Sequence, residues 1–171
     1  MGLFDKLFQK GSPKVIEVTT EKNVLYLPVE GEVIPLQEIE DEVFSLGVLG
    51  AGCGIRPTDE TVYAPADGTV RTVAETLHAV GLETDDGVEV LIHVGMDTVD
   101  MKGAGFKALV NAGQRVRCGE PLLTFDKKKI LAAGHPLTTA FVVPNSEDIG
   151  AVTVLATGML GKLTAALKIE R

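Results

Sequence analysis

Two of the three histidines in this 171-residue chain stand where side chains of their type could do chemistry near neutral pH. His93 lies in GVEVLIHVGMDTV (87–99). Strand alternation sends Val88, Val90 and Ile92 to one face and Glu89, Leu91 and His93 to the other. His78 lies one hairpin upstream in ETLHAVGLETDDG, where Asp-Asp-Gly at 85–87 supplies a tight turn back into the His93 strand. The spacing predicts that the two imidazoles meet across that hairpin. Thr76, two residues before His78 and on the same strand face, joins the patch, as does Asp97, four residues after His93 and past Gly95. His135, between Gly134 and Pro136, has no such company and reads as a loop residue.

A histidine pair suits two chemistries. Neutral imidazole is a common zinc ligand, and a catalytic zinc would take a third ligand, with Asp97 as ligand or orienting group. A phosphoryl acceptor instead needs one accessible ring nitrogen, with the proton on the other held by a carbonyl or carboxylate. Gly95 could bring a backbone carbonyl close enough for that. Local spacing leaves both open.

The elements that must position these groups are short and β-rich. NVLYLPV, GEVIPL, ETVYAPA, GTVRTVAE, LHAVGLET, GVEVLIHVG, QRVRC, EPLLTFD, TTAFVVP, AVTVLA and TAALKIE read as strands separated by Gly, Pro and Asp. That pattern predicts an all-β fold, an antiparallel sandwich or barrel with short helical turns. Helices are expected over Gly105–Val110 and over Lys127–Ala133, the latter stopped by Gly134 and Pro136. APADGTV (64–70) is echoed by NAGQRVRCGEPLLTFD (111–126), whose glycine rhythm resembles that of biotinyl and lipoyl carriers. The lysine such carriers modify has no counterpart at a hairpin tip here, so the rhythm reads as turn geometry.

Leu3, Phe4, Leu7 and Phe8 recur at helical spacing in GLFDKLFQ (2–9), and Gly11, Ser12 and Pro13 break this stretch from the rest. Residues 1–14 thus read as a flexible amphipathic tail and 15–171 as one domain. Lys6, Lys10 and Lys14 would add attraction to an anionic membrane surface. A net charge of −8 and a pI near 4.9 exclude non-specific nucleic-acid binding, which needs a basic stripe. A partner protein with a basic face fits better. Cys53 and Cys118, 65 residues apart, form no CxxC or metal cluster and read as buried thiols in a reducing compartment. No apolar run approaches a bilayer span and no signal-peptide core appears, so the expected location is cytoplasmic.

From Val15 to the C-terminus the chain resembles the glucose-type enzyme IIA domain of the bacterial phosphoenolpyruvate-dependent sugar phosphotransferase system. YAPADGTV, ETLHAVGLETDDGVEVLIHVGMDTVDMKGAGF, NAGQRVRCGEPLLTFD and VVPN match the blocks of that family in order. The His-x14-His spacing with the IH-x-G-x-DTV block is the specific part. The leading GLFDKL is similar to the amphipathic start of free-standing members, and with Met1 it favours an independent chain over a piece of a IIABC polypeptide.

The resemblance implies a jelly-roll-like sandwich with a duplicated hybrid motif. It implies that His93 accepts a phosphoryl group from the phosphohistidine of HPr and passes it to a cysteine of a IIB domain, with no cofactor or metal beyond that transient group. His78 would stabilise the phosphoryl oxygens and Thr76 would orient His78. Gly95 would supply the carbonyl that fixes the His93 tautomer, and Asp97 would lie at the rim. Val43, Phe44, Leu49 and Leu91 resemble the hydrophobic docking patch of the family, with Asp41 and Glu42 steering a basic partner. Leu46 and Ala74 depart from some members, which bears on partner preference. The implied partners are HPr, IIB and IIC permease domains and regulatory protein targets, met at the inner face of the membrane with weak contact through residues 2–9. The sugar is left open.

The rival reading is a zinc peptidase of the lysostaphin and LytM kind, a relative in fold. Those enzymes need a His-x-His pair, which this chain lacks. A purely regulatory binding module, switched by charge on His93, is a third reading.

Overall fold

The computed structural model describes residues 13–171, so the amphipathic stretch at 2–9 lies outside the described residues. Short apolar runs broken by Gly, Pro and Asp give the strands β1 (Val24–Tyr26), β2 (Gly31–Pro35), β3 (Ala51–Pro57), β4 (Thr61–Tyr63), β5 (Gly68–Val73), β6 (Ala79–Thr84) and β7 (Glu89–His93). The second half adds β8 (Phe106–Ala108), β9 (Arg115–Val116), β10 (Pro121–Phe125), β11 (Thr139–Val143), β12 (Ala151–Val154), β13 (Gly158–Leu160) and β14 (Ala165–Glu170). Among the described residues, three helices of one or two turns, α1 (Glu42–Ser45), α2 (Lys127–Ala132) and α3 (Ser146–Ile149), and 3-10 turns at Leu36–Glu38 and Thr98–Met101 complete it.

The strands form an antiparallel β-sandwich. Its largest sheet runs β13-β2-β3-β11-β7-β6-β5-β9, and two three-stranded sheets, β1-β14-β12 and β4-β10-β8, complete the strand pairing. Leu27, Val29, Ile55, Ile92, Leu122 and Phe141, all fully buried, belong to the main core. Each contributes roughly 1.5–3 kcal/mol of apolar burial.

The central strands are covered on both faces. In β7, Val90 and Ile92 point into the main core while Leu91 joins a second cluster of Leu36, Ile39, Phe44, Met96, Ala140 and Val142. In β11, Phe141 and Val143 face the main core and Ala140 and Val142 the second cluster. That double burial is why TTAFVVP reads as an unbroken apolar run. The second cluster is the floor on which the histidines stand.

Two expectations are corrected. Residues 105–110 do not form a helix: Gly105 has φ +84, Phe106 is buried beside exposed Lys107, and β8 pairs with β10 as Phe106↔Phe125 and Ala108↔Leu123. Period-two burial and a bonded neighbour won over local helical appearance. His78 and Thr76 lie in the turn before β6, not on the strand, and Ala79 takes the place opposite His93. Helix α2 forms where expected, with the Asp126 carboxylate accepting from Lys129 N–H. The two echoing stretches run against each other: Gly68 pairs with Val116, and the Asp67 carboxylate accepts from Cys118 N–H at 2.8 Å.

Candidate phosphoryl-transfer site

His93 ends β7, and its cross-strand neighbours are Ala79 in β6 and Ala140 in β11. Two methyl groups leave room above the sheet for an imidazole, and other rings fill it. His78 meets His93 edge to face, with ring centroids 4.6 Å apart and planes at 84°. Phe44 of α1 lies against the same ring at 5.0 Å. Phe106 backs His78 at 6.4 Å.

Backbone geometry sets these positions. Leu77 adopts φ +63, a left-handed conformation that costs a leucine about 1–2 kcal/mol, and this turns His78 back towards β7. Thr76 Oγ1 then lies 2.7 Å from His78 Nδ1, and the His78 carbonyl accepts from Val94 N–H at 2.8 Å. The hairpin joining the two histidines turns at Asp85–Gly87, with Gly87 at φ +82. Asn145 clasps it, accepting from Glu89 N–H at 2.9 Å and donating to the Gly87 carbonyl at 3.0 Å.

The His93 tautomer is fixed. Its Nδ1 lies 2.9 Å from the Gly95 carbonyl oxygen, an acceptor only, so Nδ1 carries the proton and Nε2 the free lone pair. Burial, then the neighbouring His78, pushes the His93 pKa down to about 4, against the pull of the Gly95 carbonyl and of Asp41. Burial also lowers that of His78, with Thr76 acting the other way. Both rings are therefore neutral at physiological pH. A neutral imidazole with one proton anchored is a nucleophile, and a second imidazole beside it can offer an N–H to a transferred anionic group.

Asp97 follows at φ +58, exposed, at the head of the 3-10 turn Thr98–Met101. Asp41 caps α1, its carboxylate accepting from Val43 N–H at 2.9 Å. Glu40 before it accepts from the Thr138 hydroxyl at 2.6 Å, which ties the α1 segment to the residue that leads into β11. Of the expected patch, Val43 is 45% exposed, whereas Phe44 is only 4% exposed. Leu49 and Leu91 are half-buried. Phe44 is thus a wall behind His93 rather than an outward contact. Sequence reading passed over Val48, 70% exposed, and Val99, 51% exposed, and took Leu46, 73% exposed, only as a departure. A signal was there: VLG after Gly47 cannot bury two apolar residues in so short a glycine-flanked loop.

Among the described residues no group of three His, Cys, Asp or Glu side chains converges, and Nδ1 of each imidazole is engaged by Gly95 or Thr76. Cys53 and Cys118 are free and buried, and burial pushes each thiol up to about 12. No helix among the described residues is long and apolar enough to cross a membrane.

Against known proteins, residues 23–149 match the family described as the phosphoenolpyruvate-dependent sugar phosphotransferase system, EIIA 1. The chain belongs to that family. This EIIA chain is 35% identical over 152 residues to the PTS system glucose-specific EIIA component of Haemophilus influenzae, with 89% of each covered. It is 40% identical over 157 residues to the PTS system glucose-specific EIIBCA component of Corynebacterium glutamicum, covering 92% of this chain and 22% of that protein. To the beta-glucoside-specific EIIBCA component of Dickeya chrysanthemi it is 48% identical over 134 residues, 78% of this chain and 21% of that one. The EIIA chain therefore spans about a fifth of the fused relatives, whose names join A to B and C components. Among solved structures, glucose permease IIA from Mycoplasma capricolum superposes with a TM-score of 0.81 at 30% identity, covering 89% of this chain and 98% of that one.

Proposed function

We propose that this EIIA chain is a phosphohistidine carrier that takes a phosphoryl group from HPr onto His93 Nε2 and hands it to the cysteine of a IIB domain. The observation that carries the reading is His93 itself: neutral, with Nδ1 tied to Gly95 and Nε2 left as the nucleophile. In the first step the Nε2 lone pair forms an N–P bond as the N–P bond of phospho-HPr breaks. In the second, a cysteine thiolate forms an S–P bond and His93 Nε2 leaves as a neutral imidazole. Nδ1 keeps its proton throughout, so neither step needs a base on this chain.

In this reading the Thr76 hydroxyl, 2.7 Å from His78 Nδ1, is the donor of that bond, which puts the His78 proton on Nε2. With the two ring centroids 4.6 Å apart, that N–H donates to the phosphoryl oxygens and offsets charge in the in-line transfer. Gly95 holds the tautomer and Asp97 stands at the rim. Val43, Leu49 and Leu91, joined by Leu46 and Val48, form the apolar docking face that excludes water from the labile N–P bond, with Phe44 supporting it from behind. Asp41 and Glu42 steer a basic partner.

The partners are HPr and IIB/IIC permease domains, and the chain works at the cytoplasmic face of the membrane, with residues 2–9 touching the surface. Relatives named for glucose, beta-glucosides, mannose and N-acetylglucosamine fit a carrier whose sugar is chosen by the permease. The same face, changed in charge by phosphorylation, suits regulatory targets. Labelled phosphoenolpyruvate with enzyme I and HPr tests the reading by placing an acid-labile, base-stable phosphate on His93.

A further inference from the structure

Thr98, in the DTV run after the histidine strand, has no task in the transfer as described, yet it is fully buried. Its hydroxyl donates to the Val94 carbonyl at 2.6 Å. Its methyl group fills the space beside Gly95, where a Cβ would collide with it. Val94 N–H donates in turn to the His78 carbonyl at 2.8 Å, and Met96 N–H to the Pro136 carbonyl at 3.2 Å. These bonds surround one acceptor, the Gly95 carbonyl that holds His93 Nδ1 at 2.9 Å. Gly95 at φ +74 and Asp97 at φ +58 both sit in the left-handed region. Gly95 takes that conformation freely, but a free chain visits many others, so contacts such as that of the Thr98 hydroxyl select this one.

We propose that Thr98 is a positioning residue for the phosphoryl acceptor: its hydroxyl closes the 94–98 turn and so aims the Gly95 carbonyl at His93 Nδ1. This rests on the carrier reading of His93. The competing use of a buried threonine hydroxyl is plain stability, through a local bond to the carbonyl four residues back. The two uses differ in what they move. Stability alone would change the melting temperature and leave the His93 proton where it is. Positioning changes how that proton divides between the ring nitrogens, and with it the fraction of Nε2 lone pair ready to react.

The test uses the full chain at neutral pH, with long-range 1H–15N spectra reading the His93 tautomer and phospho-HPr supplying the phosphoryl group. Wild type should show the Nδ1–H tautomer alone and a Thr98 hydroxyl proton protected from solvent exchange. Thr98→Val should show both tautomers and accept phosphate about tenfold more slowly, the effect of losing one buried hydrogen bond. Thr98→Ser restores the hydroxyl and should return the Nδ1–H tautomer and a rate within about twofold of wild type. A Thr98→Val chain with wild-type tautomer and rate overturns the proposal. So does a Thr98→Ser chain as impaired as Thr98→Val, because the methyl would then be what matters. If Thr98→Val does not fold, Thr98→Ala takes its place: both tautomers with a slower rate support the proposal, and a wild-type tautomer and rate overturn it. A wild-type chain with the Nδ1–H tautomer that takes no phosphate refutes the carrier reading, not the role of Thr98 in the turn.

Discussion

The imidazoles of His78 and His93 meet edge to face, 4.6 Å between centroids and 84° between planes, although only His93 lies on a strand. Their backbones are joined through the Val94 N–H to His78 carbonyl bond, while their Nδ1 atoms are engaged separately, by Thr76 and by Gly95. In the proposed carrier, that separation lets one ring act as nucleophile while the other serves the transferred group.

Replacing His78 should therefore leave the nucleophile in place. His78→Gln is expected to accept phosphate from HPr but to transfer it to a IIB domain roughly 100-fold more slowly, the scale on which one donor to a developing oxyanion acts. Rapid-quench measurement of both half-reactions separates the two. Equal donation rates for His78→Gln and wild type would remove the role assigned to His78.

His93 should titrate far below an ordinary histidine. Its folded pKa of about 4 lies beneath the unfolded 6.5, so on the acid side the unfolded chain binds a proton that the native chain refuses. Stability is then full above pH 6.5 and declines as pH falls towards 4, by about 3 kcal/mol from this group. Lowered burial-driven affinity at His78 acts in the same direction. An NMR titration of the ring checks it, and a His93 midpoint near 6.5 would show the site to be wetter than its geometry.

Phe44 covers one side of the His93 ring. At 4% exposure and 5.0 Å from the His93 ring, its truncation to alanine should cost about 3 kcal/mol of stability and let the His93 pKa climb back towards its ordinary value. Denaturant melts and the same titration read both effects. A loss of stability with no change at His93 would mean that Phe44 packs the loop without drying the site.

Val48 should matter for partners and not for folding. It is 70% exposed, so Val48→Asp is expected to change stability by less than about 0.5 kcal/mol while weakening HPr and IIB binding about tenfold, as a charge set in an apolar contact would. Calorimetric titration against each partner measures this, and unchanged affinity for both would place docking elsewhere.

Much of this was written in residue types. The alternation Val88, Val90, Ile92 against Leu91 and His93 is strictly local, and it placed His93 on the outward face of β7 correctly. Gly95 was likewise legible, because a glycine two residues beyond a histidine can fold a carbonyl back to its ring. The turn at Thr76–His78 was not, since Leu77 in a left-handed conformation contradicts its own preference and is held there by tertiary contacts. β3 was missed because AGCGIRP looks like loop. Gly52 and Gly54 are there for close approach instead: a Cβ on Gly52 would collide with the Phe141 carbonyl, and one on Gly54 would lie 2.8 Å from Ile39. Phe44 was read as part of the docking patch, and its burial behind His93 is a matter of tertiary packing that residue types do not show.

The most direct measurement is phosphoryl labelling of the full chain with enzyme I, HPr and labelled phosphoenolpyruvate. One acid-labile, base-stable phosphate should appear on Nε2 of His93, and none on His93→Ala. A wild-type chain that stays unlabelled, or a label that survives in His93→Ala, would contradict the assignment of His93 as the carrier.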